Sequence, residues 1–261
     1  MKINIAVTIA LAVVLFYFKS SFADEKWQEK KGTHFIVCYQ NAPEDFINNL
    51  MSSAENYYNL IADELGFRRF DFWLWDDRAK IYIYDTKEQY HRLTGQPQWA
   101  GGHASLKEKE IYSYAKPSGF SEQILSHEMA HIIFREFVGV GNPAVPVWLD
   151  EAVASYHQKT RYIGLRYILQ KAYSKGEFIP FSQLIRLNPS MLEDKDKIDL
   201  FYMESVSIVD YLIANFGKDY FVYFCRYLRD KKDMDQAIKS AYPINGLKAL
   251  GDKWESSFKN E

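Results

Sequence analysis

The sequence predicts an α+β fold, with a small mixed β-sheet in an N-terminal lobe and a mainly helical C-terminal lobe. With 48% hydrophobic residues in 261, the chain can bury a substantial core. Short segments of alternating polarity, separated by turn residues, dominate up to residue 114 and indicate strands. From residue 119 onward the periodicity is helical. We therefore expect one domain at residues 24–261, with an α/β lobe at 24–118 and a helical lobe at 119–261.

The first 23 residues have the pattern of a secretory signal peptide. Lys2 precedes an apolar run at residues 3–18, and Ser21 and Ala23 are small residues at the positions that signal cleavage requires. The run is short for a membrane span, which needs about 20 apolar residues. We expect cleavage after Ala23 and a secreted or periplasmic protein without stable membrane insertion. Retention of the segment as an uncleaved anchor is the alternative.

Charge and cysteine content limit the partners and the chemistry. The chain has 32 basic and 34 acidic residues, a net charge of -2, and no long Lys/Arg block, so nucleic acid is not expected as a partner. The two cysteines are Cys38 and Cys225. Export would permit a disulfide between them, but two buried free thiols fit the sequence equally well. The oligomeric state is not indicated.

The N-terminal lobe is predicted to contain strands and helices in alternation. Pro43 opens the first helix and Gly66 follows its end, while Thr86 is the expected N-cap of a short second helix. Paired glycines at 101–102 lead into two strand-like pieces. The predicted strands are residues 33–39, 80–84, 103–106 and 110–114, and the predicted helices are residues 43–65 and 86–93.

The C-terminal lobe is predicted to begin with a long helix. Ser121 is its expected N-cap, and it is expected to run to about Val138, where a Gly- and Pro-containing loop at 139–146 follows. The periodicity predicts further helices at residues 147–157, 162–174, 200–216, 219–228, 234–241 and 247–258.

The long helix carries a His-Glu-x-x-His motif. His127 and His131 are separated by about 40° around the helix axis and by one turn along it, so both imidazoles project toward one point. Two such imidazoles can bind zinc, while Glu128 on the neighbouring strip reaches a metal-bound water and becomes the candidate general base. Composition alone would produce about 0.009 accidental matches to this motif.

A catalytic zinc ion requires a third protein ligand and an open fourth position. Glu151 is the natural third ligand, because it lies twenty residues after His131 near the start of the next predicted helix. His127, His131 and Glu151 would then bind Zn²⁺ in the set typical of hydrolytic enzymes. Asp150 either orients an imidazole or is a solvated acid at the helix start. His157 lies about 120° from Glu151 around that helix and is not expected to join the metal.

These motifs resemble the gluzincin metallopeptidases of the peptidase MA-like family. The resemblance rests on H-E-M-A-H, a gap of 19 residues, and W-L-D-E-A-V-A-S-Y, which is similar to the family pattern W-L-x-E-G-x-A except for Ala152 in place of Gly. It implies a zincin-like active-site helix between the lobes, zinc ligands at His127, His131 and Glu151, and a base at Glu128. It also implies a zinc metallopeptidase that hydrolyses peptide bonds through a zinc-bound water activated by Glu128. Together with the signal peptide, this predicts an exported enzyme.

The sequence also offers candidates for substrate binding. Peptide hydrolysis needs a donor to the oxyanion and often a strand that binds an extended peptide. By resemblance, Tyr202 is the candidate catalytic donor and the strand at 110–114 is the expected edge strand. His103, which follows the paired glycines, is the second candidate donor. A purely structural role is the alternative for both side chains.

Two other functions remain compatible with a zinc site. One is a catalytically silent zinc-binding domain that binds a cell-envelope partner, although a binding module has no need of the base Glu128. The other is zinc-dependent hydrolysis of a non-peptide substrate. The sequence indicates neither the peptide substrate nor the choice between endo- and exo-cleavage.

Overall fold

The computed structural model describes residues 27–67, 73–98, 100–115, 120–157 and 164–259. The predicted signal peptide lies outside these residues, as does Tyr162, the expected start of a helix. Within them the chain has the predicted α+β fold, a small mixed sheet followed by helices. None of the helices in the described part of the chain combines the length and the apolar character that crossing a membrane would need.

The described residues form a five-stranded sheet in the order β1-β2-β3-β5-β4. The central strands β2, β3 and β5 are parallel, while β1 and β4 pair antiparallel at the two edges. The strands are β1 (Gln28–Lys31), β2 (Phe35–Tyr39), β3 (Ala79–Tyr84), β4 (Gly102–Ser105) and β5 (Glu110–Tyr114).

The strand order corrects one prediction and adds one strand. The expectation that residues 110–114 form the edge strand is wrong, because β4 pairs antiparallel with β5 and itself occupies the edge. A tight hairpin allows this pairing, since only four residues separate the two strands. Strand β1 was not predicted. Its sequence, Gln-Glu-Lys-Lys, has no apolar alternation, and its extended conformation comes from backbone pairing with β2.

Helices account for most of the remaining described residues, and several begin at caps that the sequence provides. Thr86 accepts a hydrogen bond from the Gln89 amide at the start of α2, as predicted. Helix α7 begins five residues before its predicted start, because the side chain of Asp194 caps it. The helices are α1 (Glu44–Glu64), α2 (Lys87–Thr94), α3 (Ser126–Val138), α4 (Val147–Tyr156), α5 (Leu165–Lys175), the unpredicted α6 (Phe181–Leu184), α7 (Lys195–Phe216), α8 (Lys218–Lys231), α9 (Met234–Ala241) and α10 (Gly246–Ser256).

A π-helical segment at residues 120–125 leads into α3. The prediction that Ser121 is the N-cap is therefore wrong, because the helical backbone already begins before it. This segment packs closely on the edge strand, because a Cβ atom built on Gly101 or Gly102 would overlap side-chain atoms of Ile124. The paired glycines thus allow β4 to lie directly beside the start of α3.

One face of the sheet forms the core with helices α1 and α3. Alternating residues of β3 and β5, including Ile81 and Ile111, belong to this core, and Ala54 of α1 and Met129 of α3 belong to the same buried cluster. Helix α4 packs between α3 and α7. The core therefore holds α3 and α4 in fixed positions relative to each other and to β4.

The two cysteines are free thiols, and both are buried. Cys38 lies in β2 and Cys225 lies in α8. Burial raises the pKa of both thiols, that of Cys38 to about 11, so they stay protonated at neutral pH. Their contribution is to packing.

Glu204 is a carboxyl group buried in the middle of α7, away from solvent. One of its oxygens, Oε1, accepts a hydrogen bond of 2.9 Å from the Ile179 amide, while Oε2 has no partner among the described residues. Burial, reinforced by the charge of Glu255, raises the pKa of Glu204 from 4.5 to about 8 despite that hydrogen bond. The folded chain therefore retains a proton that the unfolded chain releases, and stability falls as pH rises from 4.5 to about 8.

Replacing Glu204 with Gln should therefore stabilise the metal-free protein above pH 5, on the order of a few kcal/mol at pH 8. Gln keeps an oxygen for the Ile179 amide and removes the ionisation. The melting temperatures of the variant and of wild-type protein are measured between pH 4 and pH 8 with a chelator present. The difference between them should increase as pH rises. The exposed Glu193→Gln variant is the control. A difference that does not change with pH would contradict the assignment.

Candidate metal centre

Helices α3 and α4 bring His127, His131 and Glu151 together. The histidines project from one face of α3, and the packing of α4 against α3 turns Glu151 toward them. The Nε2 atoms of the two imidazoles are 3.2 Å apart. Glu151 Oε2 lies 3.4 Å from Nε2 of His127 and 3.9 Å from Nε2 of His131. In the described part of the chain this is the group of side chains that could hold a metal ion.

The Nδ1 atoms of both imidazoles lie near groups that can accept a hydrogen bond from them. Nδ1 of His131 lies 3.1 Å from a carboxylate oxygen of Asp150, and Nδ1 of His127 lies 3.4 Å from the hydroxyl oxygen of Ser155. With the Nδ1 protons donated outward, both Nε2 lone pairs face inward. Glu151 Oε2 is buried and has no hydrogen-bond partner among the described residues. When both rings are neutral, three acceptors thus converge on one point, which favours a cation there, either a proton or a metal ion.

The spacing of these atoms fits a tetrahedral metal. Ligand atoms at about 2.0–2.1 Å from a tetrahedral zinc ion lie about 3.3 Å from one another, and the distances here are 3.2, 3.4 and 3.9 Å. The three side chains are 13–21% exposed, which leaves room for water and substrate at the fourth position. Two imidazoles and one carboxylate are also a donor set that zinc takes in hydrolytic enzymes.

The site is arranged to hold positive charge. Burial opposes ionisation of Asp150 and Glu151. Hydrogen bonds from His131 and Arg135 nevertheless hold the pKa of Asp150 below its usual value, and the close approach of His127 and His131 does the same for Glu151. Burial would likewise lower the pKa of His131, yet the neighbouring Asp150, Glu151 and Glu128 raise it to about 9. The carboxylates therefore favour a cation among the imidazoles, whether a proton or a metal ion.

Replacing Asp150 with Asn should weaken zinc binding by about 10- to 100-fold. The carboxylate accepts hydrogen bonds from His131 and from Arg135, whose Nη2 is 2.8 Å away, and a neutral amide would leave that arginine without its counter-charge. Competition with a zinc chelator measures the change. Ser155→Ala is the matched control, because it removes the longer contact to His127 and should cost less. An unchanged zinc affinity in Asp150→Asn would exclude this role.

The two candidate catalytic residues lie on α3 and α7, outside the ligand group. Glu128 is half-buried on α3 next to His127, and its charge raises the pKa of both His131 and Tyr90. Tyr202 lies on α7, with its ring edge-on to Phe201 at 5.6 Å. Its role as oxyanion donor stays a prediction.

His157 lies at the end of α4, outside the ligand group. Both of its ring nitrogens are buried without a hydrogen-bond partner among the described residues, and its ring contacts Tyr57 edge-on at 6.5 Å. Burial lowers its pKa to about 3, assisted by the charges of His127 and His131. It is therefore an uncharged imidazole near the site rather than a member of it.

Sequence reasoning missed two residues that support the ligands. Ser155 contacts His127, and Arg135 binds Asp150 through its guanidinium Nε at 2.9 Å. Ser155 follows Glu151 by four residues, and Arg135 follows His131 by four residues. Each therefore lies on the same helix face as a predicted ligand. That spacing could have identified both.

A family model described as the Peptidase MA superfamily matches residues 75–260, a range that includes α3 and α4. No curated protein matches this sequence.

Two solved structures are similar in outline. One is native yeast LTA4 hydrolase, with 14% sequence identity, coverage of 88% of this chain and 38% of that chain, and a TM-score of 0.48. The other is a mutant of the M1 zinc metallopeptidase from Deinococcus radiodurans, with 12% identity, coverage of 90% of this chain and 52% of that chain, and a TM-score of 0.47. The chain therefore spans about half of these proteins or less.

Proposed function

The chain belongs to the Peptidase MA superfamily, and from that membership and the geometry of its metal site we propose that it is an exported zinc-dependent peptidase of the gluzincin type. One observation carries the proposal. Nε2 of His127, Nε2 of His131 and the unpartnered Oε2 of Glu151 converge on one point at the spacing of a tetrahedral zinc site.

Under this proposal Glu128 is the general base and then the general acid. When bound, zinc would polarise the scissile carbonyl and make the attacking water more acidic. Glu128 takes a proton from the water while the oxygen of that water bonds to the carbonyl carbon. The same carboxyl then delivers that proton to the amide nitrogen as the carbon–nitrogen bond breaks. Tyr202 is the proposed donor to the oxyanion.

The edge strand β4 is the proposed binding surface for the substrate backbone. Its outer side carries no partner strand among the described residues, and α3 packs directly beside it. An extended peptide can add to such an edge through main-chain hydrogen bonds. This strand takes the role that the sequence had suggested for β5.

The test is zinc content and peptide cleavage by the purified chain. Protein prepared without chelators and supplied with zinc should contain one zinc ion per chain and should cleave members of a mixed peptide library, followed by mass spectrometry. A chelator should abolish cleavage and added zinc should restore it. Failure to bind zinc would overturn the proposal. Zinc binding with cleavage of esters or non-peptide amides alone would support a different hydrolase, and zinc binding with no hydrolysis would support a silent binding domain.

A further inference from the structure

Three rings stand in a row on the sheet face opposite the core. Tyr82 of β3, Tyr112 of β5 and His103 of β4 are cross-strand neighbours in register. The rings of Tyr82 and Tyr112 stack with centroids 5.0 Å apart and an angle of 10° between their planes. The rings of Tyr112 and His103 stack in the same way, at 4.9 Å and 10°. The row therefore runs across the sheet toward its free edge and ends at His103.

The ring spacing, 4.9–5.0 Å, is close to the spacing of the strands. Neighbouring strands lie about 4.7–4.9 Å apart, so each strand adds one ring to the row. A peptide that paired with the free edge of β4 would be the next strand. The side chain opposite His103, on the same face, would then lie about 4.8 Å from the imidazole plane.

His103 is half-buried, and its contacts with other rings of the described residues lie on its inner face and at its edge. Its inner face is stacked on Tyr112, and its Nδ1 atom lies 2.9 Å from the Tyr90 hydroxyl, a contact at the edge of the ring. The Tyr90 ring itself is tilted by 46° at 5.8 Å. Within the described part of the chain no other ring contacts His103.

Tyr90 fixes the orientation of the imidazole. It is fully buried, and burial together with the charge of Glu128 raises its pKa well above the usual value, so the hydroxyl keeps a proton that it can donate to Nδ1. Burial lowers the pKa of His103, which leaves the ring neutral at neutral pH. The hydrogen bond thus holds a neutral ring parallel to Tyr112, and Tyr90 is a positioning residue.

We propose that His103 is a specificity-determining residue that selects a planar aromatic side chain at the substrate position opposite it on β4. The inference rests on the proposed function, since it requires a peptide bound along the edge of β4. An aromatic side chain continues the row of stacked rings, while an aliphatic side chain of similar volume does not. The stacking of an aromatic pair contributes free energy in addition to that of the buried area, and this addition corresponds to about two- to tenfold tighter binding.

The experiment measures peptide binding in the zinc-loaded Glu128→Gln variant, in which hydrolysis is suppressed. Fluorescent twelve-residue peptides of Ala and Ser carry either phenylalanine or the non-planar cyclohexylalanine at one scanned position, and affinity is measured by fluorescence anisotropy. At one position phenylalanine should bind about two- to tenfold more tightly. His103→Leu should remove this ratio, while His103→Phe should keep it.

Control variants separate stacking from general damage to the strand. Ser105→Ala alters the same face of β4 and should leave the ratio unchanged. Tyr90→Phe should reduce it, whereas Tyr114→Phe, whose ring also contacts Tyr90, should not. Melting temperatures verify that each variant is folded.

Equal affinity for the two peptides at every position, a ratio that survives His103→Leu, or no peptide binding would each overturn the inference. Peptide cleavage by the wild-type chain is scored separately. Cleavage without an aromatic preference refutes the role of His103 alone. A preference that depends on His103 without any cleavage supports this role and refutes the proposed peptidase.

Discussion

Replacing Glu128 with Gln should lower kcat by about 10²- to 10⁴-fold while the protein still binds one zinc ion. The amide has nearly the same shape as the carboxylate but cannot accept the proton of the attacking water. Glu128 lies next to His127 on α3 without belonging to the ligand group, so its replacement leaves all three ligands intact. Steady-state kinetics on a cleaved peptide, together with zinc analysis of the same samples, measure both quantities.

The control for this variant is Glu108→Gln, an exposed carboxylate in the turn between β4 and β5. It should retain wild-type kcat, because it removes the same charge away from the site. Two results would contradict the assigned role of Glu128. One is an unchanged kcat, and the other is loss of zinc in parallel with activity, which would make Glu128 part of the metal site instead.

Replacing Glu151 with Ala should weaken zinc binding by more than about 100-fold and abolish turnover. The change removes the one carboxylate oxygen that faces both imidazoles and leaves two ligands on a single helix. At a zinc concentration 100 times the Kd of wild-type protein, zinc binding stabilises the wild type by about 2.7 kcal/mol. At the same concentration, a variant with 100-fold weaker binding gains about 0.4 kcal/mol. Thermal unfolding with and without zinc measures the difference.

His157→Phe is the matched control for Glu151→Ala. His157 lies on the same helix segment, and its buried nitrogens have no partner among the described residues. Because it lies outside the ligand group, zinc should stabilise this variant as much as wild type. Stoichiometric zinc retained by Glu151→Ala would show that Glu151 is not a ligand.

The features that the sequence determined by itself are those set by local spacing. The periodicity places most helices within a few residues, as in α9, whose observed bounds are the predicted ones. The orientation of His127 and His131 is equally local, because residues four apart share a helix face in any fold. Thr86 caps α2 through an amide three residues away, so this prediction also needed no tertiary information.

Tertiary structure alone decided which distant segments meet. The sequence suggested β5 as the edge strand, but strand order depends on backbone pairing between segments, and β4 takes the edge. Polar β1 is a strand only because β2 offers it hydrogen bonds. The 3.4 Å between Glu151 and His127 depends on how α4 packs against α3, and the stacking of His103 depends on the register of β4 with β5. Such contacts arise from hydrogen bonding and close packing between remote residues, which no local periodicity encodes.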